Sequence, residues 1–321
     1  MRIARFQKKV DENRNHLGLV LLDKVGSGGY VLDLHTGAME ASIPVSSTDP
    51  ILSDMISFLQ DLDRSKQVAL SVQNWADTKI AKGDIECFIP ETEVRWLPPV
   101  PTPTKIVGMG GNFLDHLKEA NQDRILRGEP EIPLPSTPVA FLKAHTCLIG
   151  HNENIPYPRE TKELDYEGEI GVVIGREAHN IDAKNAMRYV AGYVIVNDIS
   201  ARDIQRTELK SGAIMLSKNF PGFGPMGREL VFTDEIPDPQ ALDIVTYVNG
   251  QIRQKGNTND MHFDWKHLIS YWSKTRLVPG DIILSGTPSG VAVGRDEWYL
   301  RKGDLVEVEV PGLGRLSNRI V

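Results

Sequence analysis

Beyond residue 104 no apolar run outlasts a short strand before glycine or proline interrupts it. The runs "KIVGMG", "VAFLKA", "IGVVIG", "AGYVIVND", "DIVTYVNG", "DIILSG" and "DLVEVEV" follow one another with turn residues between them. Helical spacing is confined mainly to 182–190 and 264–275. This punctuation predicts an α+β, mostly β fold, curled into a mixed roll or barrel-like domain.

The first part of the chain reads differently. Short strands in "GLVLLD" and "GYVLDL" precede "DPILSDMISFLQDLD", whose apolar residues recur at helical spacing, with Asp49 as cap and Pro50 at the first helical position. Pro98, Pro99, Pro101 and Pro103 then mark a linker that could not join a central ladder. The expected organisation is a small N-terminal α/β domain over 1–98 and a catalytic domain over 99–321.

With 36 basic and 43 acidic residues the net charge is −7, and no basic run is present to neutralise phosphates. Nucleic acid is therefore not an expected partner; a small molecule is. Cys87 and Cys147 are too few for a disulfide framework or a CxxC zinc site. No stretch reaches the roughly 18 apolar residues of a membrane span. The start has basic charge without an apolar stretch after it, so a cytoplasmic location is expected, with a short organelle presequence left open.

"ELDYEGEIGVVIG", 163–175, concentrates acids on a strand. Alternation puts Glu163, Asp165, Glu167 and Glu169 on one face, with no basic residue in the stretch to relieve them. On ExE spacing alone a solvated face is the ordinary outcome. A shared cation is the alternative, with Asp198 at the end of the apolar strand 190–196 as third ligand. An all-oxygen set of Glu167, Glu169 and Asp198 suits Mg²⁺ or Mn²⁺, or Ca²⁺, rather than zinc.

In "GNFLDHLKEA" His116 and Glu119 lie three apart, on one face if the segment is helical, and a carboxylate on one imidazole nitrogen raises the basicity of the other. Surface contact is the commoner fate of such a pair. "GMGGN" fails as a dinucleotide fingerprint, because Phe113 stands at the third glycine. Lys143 lies in the apolar "VAFLKAH", where an anion or snorkelling must satisfy it. Lys218 adjoins a Gly- and Pro-rich loop. The small-residue loop 285–290 offers backbone N–H groups and the Thr287 hydroxyl to an anion, and lacks the lysine of a Walker A loop.

In this order the motifs resemble the catalytic domain of the fumarylacetoacetate hydrolase superfamily over about 104–320. "GNFLDHLKEA", "DYEGEIGVVIG", "GYVIVNDISARDIQ", "YVNGQIRQKGNTNDM" and "LVPGDIILSGTPSGV" carry the likeness. The resemblance implies a divalent metal on Glu167, Glu169 and Asp198, Lys218 beside it, and His116 oriented by Glu119 to activate water. It further implies substrate contacts from Thr287, Gln205 and Arg202, joined by Lys143, and a homodimer. The implied activity is hydrolysis of a carbon–carbon bond in 2,4-diketo acids. The alternatives are isomerisation or decarboxylation of related oxo acids on the same scaffold, or metal binding without catalysis. Residues 113–136 are expected to form a lid. Phe113, Pro221 and Arg228 depart from the family's usual tyrosine, aspartate and proline.

Overall fold

The computed structural model describes residues 1–21 and 29–321, so Leu22 and Asp23 of the expected strand "GLVLLD" lie outside the described residues. Gly168–Ile174 occupies the middle of an eleven-stranded sheet. It pairs antiparallel with Val190–Asn197 on one side and with Ile282–Leu284 on the other. Ile106–Gly110 and then Val139–Lys143 complete that end. In the other direction the sheet passes through Glu229–Phe232 to Arg2–Lys8, Asp11–Leu21 and Tyr30–Asp33. Every residue of Gly168–Ile174 and Val190–Asn197 is buried. That is why these two strands read as near-continuous apolar runs.

A second, five-stranded sheet is built from Gln251–Asn257, Asp243–Val248, Leu305–Val310, Gly314–Ile320 and Asn154–Ile155. Among the described residues neither sheet closes into a barrel, which selects the roll over the barrel. Ile170, Val172 and Ile195 of the first sheet share an apolar cluster with Ile244 and Val308 of the second. Each such side chain contributes roughly 1.5–3 kcal/mol on burial.

The main sheet crosses residue 98, and so does the core beneath it. Ile3, Leu19, Phe58 and Val72 pack in one cluster with Val194, Phe232 and Ile282. Arg228, where the family usually has proline, binds both oxygens of Glu91 at 2.8 Å and lies against Trp96, tying the N-terminal part to the sheet.

The α-helices among the described residues are α1 (Leu34–Glu40), α2 (Met55–Gln60), α3 (Leu62–Ala81), α4 (Leu114–Leu126), α5 (Arg202–Lys210) and α6 (Trp265–Trp272). Two expectations are corrected. Residues 49–63 are not one helix: Asp49 caps only the 3₁₀ turn Pro50–Leu52, and Asp54 restarts the chain as α2 by accepting the Ser57 N–H. Residues 182–190 form a 3₁₀ segment, Ala183–Tyr189, rather than an α-helix.

Candidate active site

The acidic stretch does not run as one strand. Leu164–Asp165 pairs with Ser200–Ala201, and the ladder to Val190–Asn197 begins only at Gly168. The break between them redirects the acids. Glu163 goes to Arg206 at 2.6 Å, Asp165 to Arg202 at 2.7 Å, and only Glu167 and Glu169 turn toward Asp198. The Asn197 side chain accepts the Glu167 N–H, and the Asp198 N–H donates to the Glu167 carbonyl at 2.8 Å. The two strand ends are thereby locked together, and one carboxylate oxygen from each of Glu167, Glu169 and Asp198 lies within 4.8 Å of the others. All three residues are buried.

The fold supplies the basic residues that the stretch itself lacks. Lys218 Nζ lies 2.6 Å from both Glu167 Oε2 and Asp198 Oδ2. Arg202 reaches Glu167 Oε1 at 2.6 Å, and Lys143 reaches Asp198 Oδ1 at 2.7 Å. Burial alone would raise the Glu167 carboxyl, but the charges of Lys218 and Arg202 outweigh it and hold the group well below its ordinary value. Glu169 has no such partner. Among the described residues it accepts only the Gly286 N–H, at 3.2 Å, and burial together with the charges of Asp198 and Glu167 pushes it well above the ordinary range. Burial disfavours the Lys218 ammonium, yet Asp198 and Glu167 more than compensate and raise it.

Three converging buried carboxylates, one without a cation, fit a divalent metal with oxygen ligands. Lys218 now occupies part of that role. Lys143 is not among the cleft-lining residues; its ammonium is committed to Asp198 and to the Lys218 carbonyl.

A cleft of about 600 Å³ opens beside this cluster and is lined by His116, Glu167, Arg202, Gln205, Lys218 and Thr287 among others. The structure thus brings together six of the expected site residues. Gln205 Oε1 accepts Arg202 Nη1 at 2.9 Å. Thr287 donates its hydroxyl to the Gly168 carbonyl and accepts Gln254 Nε2, so it offers the cleft no free hydroxyl hydrogen. Arg202, Arg206 and Lys210 line one wall at successive four-residue intervals along α5.

α4 covers the cleft and docks on the loop after Ile282–Leu284. Asp115 accepts the Ser289 hydroxyl at 2.6 Å. Glu119 accepts the Gly290 N–H at 3.1 Å and pairs with Arg295. His116 Nδ1 stands 3.5 Å from Glu119 Oε2. Burial tends to raise the Glu119 carboxyl, but hydrogen bonds from His116, Arg295 and Gly290 bring it below its ordinary value. Phe113, fully buried, pairs with Met261, and Asn112 bonds to Phe263 and Ser285, fixing the start of α4.

Sequence reasoning missed Arg295 and the two-cation cage of Asp198. The signal for the cage was present in the cost of burying Lys143. Nothing in the local pattern pointed to Arg295.

The curled β fold thus sets a buried acid trio under a cation-rich cleft. The fumarylacetoacetate (FAA) hydrolase C-terminal family matches residues 105–321, and the chain belongs to that family. Over 323 aligned residues it is 37% identical to the mitochondrial oxaloacetate tautomerase FAHD2A of Bos taurus, covering 100% of this chain and 92% of that one. Among solved structures it resembles a 5-carboxymethyl-2-hydroxymuconate delta-isomerase from Mycobacterium smegmatis, with 28% identity, TM-score 0.70 and coverage of 100% and 98%. It also resembles a fumarylacetoacetate hydrolase from Exiguobacterium antarcticum, with 26% identity, TM-score 0.73 and coverage of 100% and 99%.

Proposed function

We propose that this chain is a metal-dependent tautomerase of 2-oxo dicarboxylic acids of the oxaloacetate type, interconverting their keto and enol forms. Bound on Glu167, Glu169 and Asp198, Mg²⁺ or Mn²⁺ would polarise the 2-oxo carboxylate, and Ca²⁺ could use the same oxygens. Lys218, already an ammonium between two acids, stabilises negative charge on the substrate oxygen. Arg202 and Gln205 orient the carboxylate at the cluster end, and the Arg206 and Lys210 end of α5 attracts the second one. His116 faces the cleft and takes the proton from C3 as one is placed on the C2 oxygen, and in the reverse direction it delivers a proton to C3 as the enol oxygen loses its own.

The observation that carries this reading is the state of Glu119. Hydrolysis of a diketo acid needs His116 to orient and deprotonate a water with the help of Glu119. That carboxylate is shared: Arg295 and Gly290 engage it closely, and His116 reaches it only at 3.5 Å. A proton on carbon between two carbonyls is far more acidic than one on water, so an imidazole with only weak assistance from Glu119 serves tautomerisation. The whole-length likeness to an oxaloacetate tautomerase supports the same choice over carbon–carbon hydrolysis and decarboxylation. We further propose that two copies associate, for which Leu126, Leu142, Met215 and Leu216 supply exposed apolar surface.

The test follows decay of the oxaloacetate enol in a buffer that catalyses poorly, beside product analysis on acetylpyruvate. Fast enol–keto conversion that is lost in His116→Ala, without cleavage of acetylpyruvate, is the expected result. Rapid cleavage of acetylpyruvate with no effect on the enol would reverse the assignment to hydrolase.

A further inference from the structure

Glu119 is held more closely by the C-terminal loop than by the histidine one helical turn before it, whose Nδ1 stands at 3.5 Å, the outer limit of a hydrogen bond. Its Oε1 binds Arg295 Nη1, and both of its oxygens accept the Gly290 N–H at 3.1–3.2 Å. Arg295 is itself held in place. Its Nη1 donates to the Val291 carbonyl at 2.9 Å, and its guanidinium lies 4.6 Å from the centre of the Trp298 ring, which also takes Arg253 at 4.4 Å. Stacking on an aromatic face restricts a guanidinium that would otherwise range over many rotamers. Arg295 does not line the cleft and makes no contact with Glu167, Glu169 or Asp198 among the described hydrogen bonds and ion pairs.

We infer that Arg295 is a specificity-determining positioning residue: by holding Glu119 against the loop, it keeps the His116–Glu119 contact long and so weakens the water-activating pair. The inference rests on the tautomerase reading above and names the residue that separates that reaction from hydrolysis.

The two reactions differ by one water. In tautomerisation a proton leaves C3 and another arrives on the oxygen at C2, with nothing added. In cleavage of an acylpyruvate, water oxygen bonds to the C4 carbonyl carbon and its proton passes to His116. The C3–C4 bond then breaks, its electron pair stays on C3 as the enolate of pyruvate, and that carbon regains a proton. The products are pyruvate and a carboxylic acid. Only the second sequence requires a base strong enough, and oriented well enough, to deprotonate water.

Without the Arg295 cation, Glu119 keeps two donors, Gly290 N–H and His116. The 3.5 Å gap to His116 Nδ1 is small enough to close by side-chain rotation into an ordinary hydrogen bond. General-base assistance is typically worth roughly 10²–10⁴-fold.

The experiment uses full-length Mn²⁺-loaded protein with acetylpyruvate and enol-oxaloacetate as probes. Arg295→Met should raise acetylpyruvate cleavage by at least about tenfold while enol conversion persists. Arg295→Lys, which keeps the charge, should stay near wild type. Adding His116→Ala to Arg295→Met should abolish the gained cleavage. If Arg295→Met loses enol conversion through misfolding, Arg295→Gln gives the same reading. Cleavage unchanged in both neutral variants, or a gain that survives His116→Ala, overturns the role of Arg295. A wild-type protein inactive on the enol would instead strike the tautomerase reading, so the two failures are distinct.

Discussion

Replacing Lys218 by methionine should weaken the metal-free protein and strengthen its grip on a divalent cation. Lys218 is 1% exposed and bridges Glu167 Oε2 and Asp198 Oδ2 at 2.6 Å each. Methionine fills much of the same volume but leaves those carboxylates facing Glu169, itself without a cation. Removing one partner of a buried ion pair costs about 3–5 kcal/mol. With an unfolding entropy of about 2.1 cal/mol/K per residue, this lowers the melting temperature in chelator by roughly 4–7 °C for a chain of this size. Metal binding to wild type must displace the ammonium from between the acids, whereas binding to the variant need not. We expect Mn²⁺ affinity to rise by at least about tenfold, or ~1.4 kcal/mol, and the Mn²⁺-induced rise in melting temperature to exceed that of wild type. Differential scanning fluorimetry with and without Mn²⁺, paired with calorimetric titration, reads both signs. A smaller Mn²⁺ increment in the variant than in wild type would refute the reasoning, because Lys218 would then support the metal rather than compete with it.

Two other perturbations follow from the same geometry. Asp198→Ala should weaken Mn²⁺ binding strongly by calorimetry, since it removes one of the three buried carboxylates proposed as ligands and strands Lys143; unchanged affinity would remove Asp198 from the proposed set. His151 is held neutral to about pH 4 by burial and by the charge of Arg228, against an ordinary value of 6.5. Its folded pKa is depressed, so the stability it contributes is complete above pH 6.5 and is lost as pH falls toward 4. The contribution is at most about 3 kcal/mol, and the stability of His151→Gln, measured by urea unfolding, should fall less across that window.

Strand alternation and a carboxylate at a strand end made the acid trio visible as candidates, but on that local pattern alone a solvated face was the ordinary outcome, and the order of the family motifs decided for the trio. What surrounds the trio is not local. Lys143 stood out as a cation in an apolar run and Arg202 entered through the family resemblance, and neither sequence neighbourhood shows that Asp165, Glu167 and Asp198 meet them. The single face expected for Glu163 to Glu169 failed at Tyr166–Glu167, where the strand changes partners. The β-rich roll was legible from Gly and Pro punctuation. α3 was overlooked although Leu62, Ser65, Val68, Ala69, Val72 and Ala76 repeat at helical spacing, because half of that face is made of small residues. The Glu119–Arg295 pair spans 176 positions, and no spacing rule reaches so far.

The most direct test of the account is a Mn²⁺ titration of metal-free protein in which bound metal and the rate of oxaloacetate enol conversion are followed together. The account predicts a rate that rises with occupancy, saturates at one Mn²⁺ per chain and stays at the buffer level in Glu169→Gln at every concentration tested. Full conversion by chelator-treated wild-type protein, with no metal bound, would contradict it.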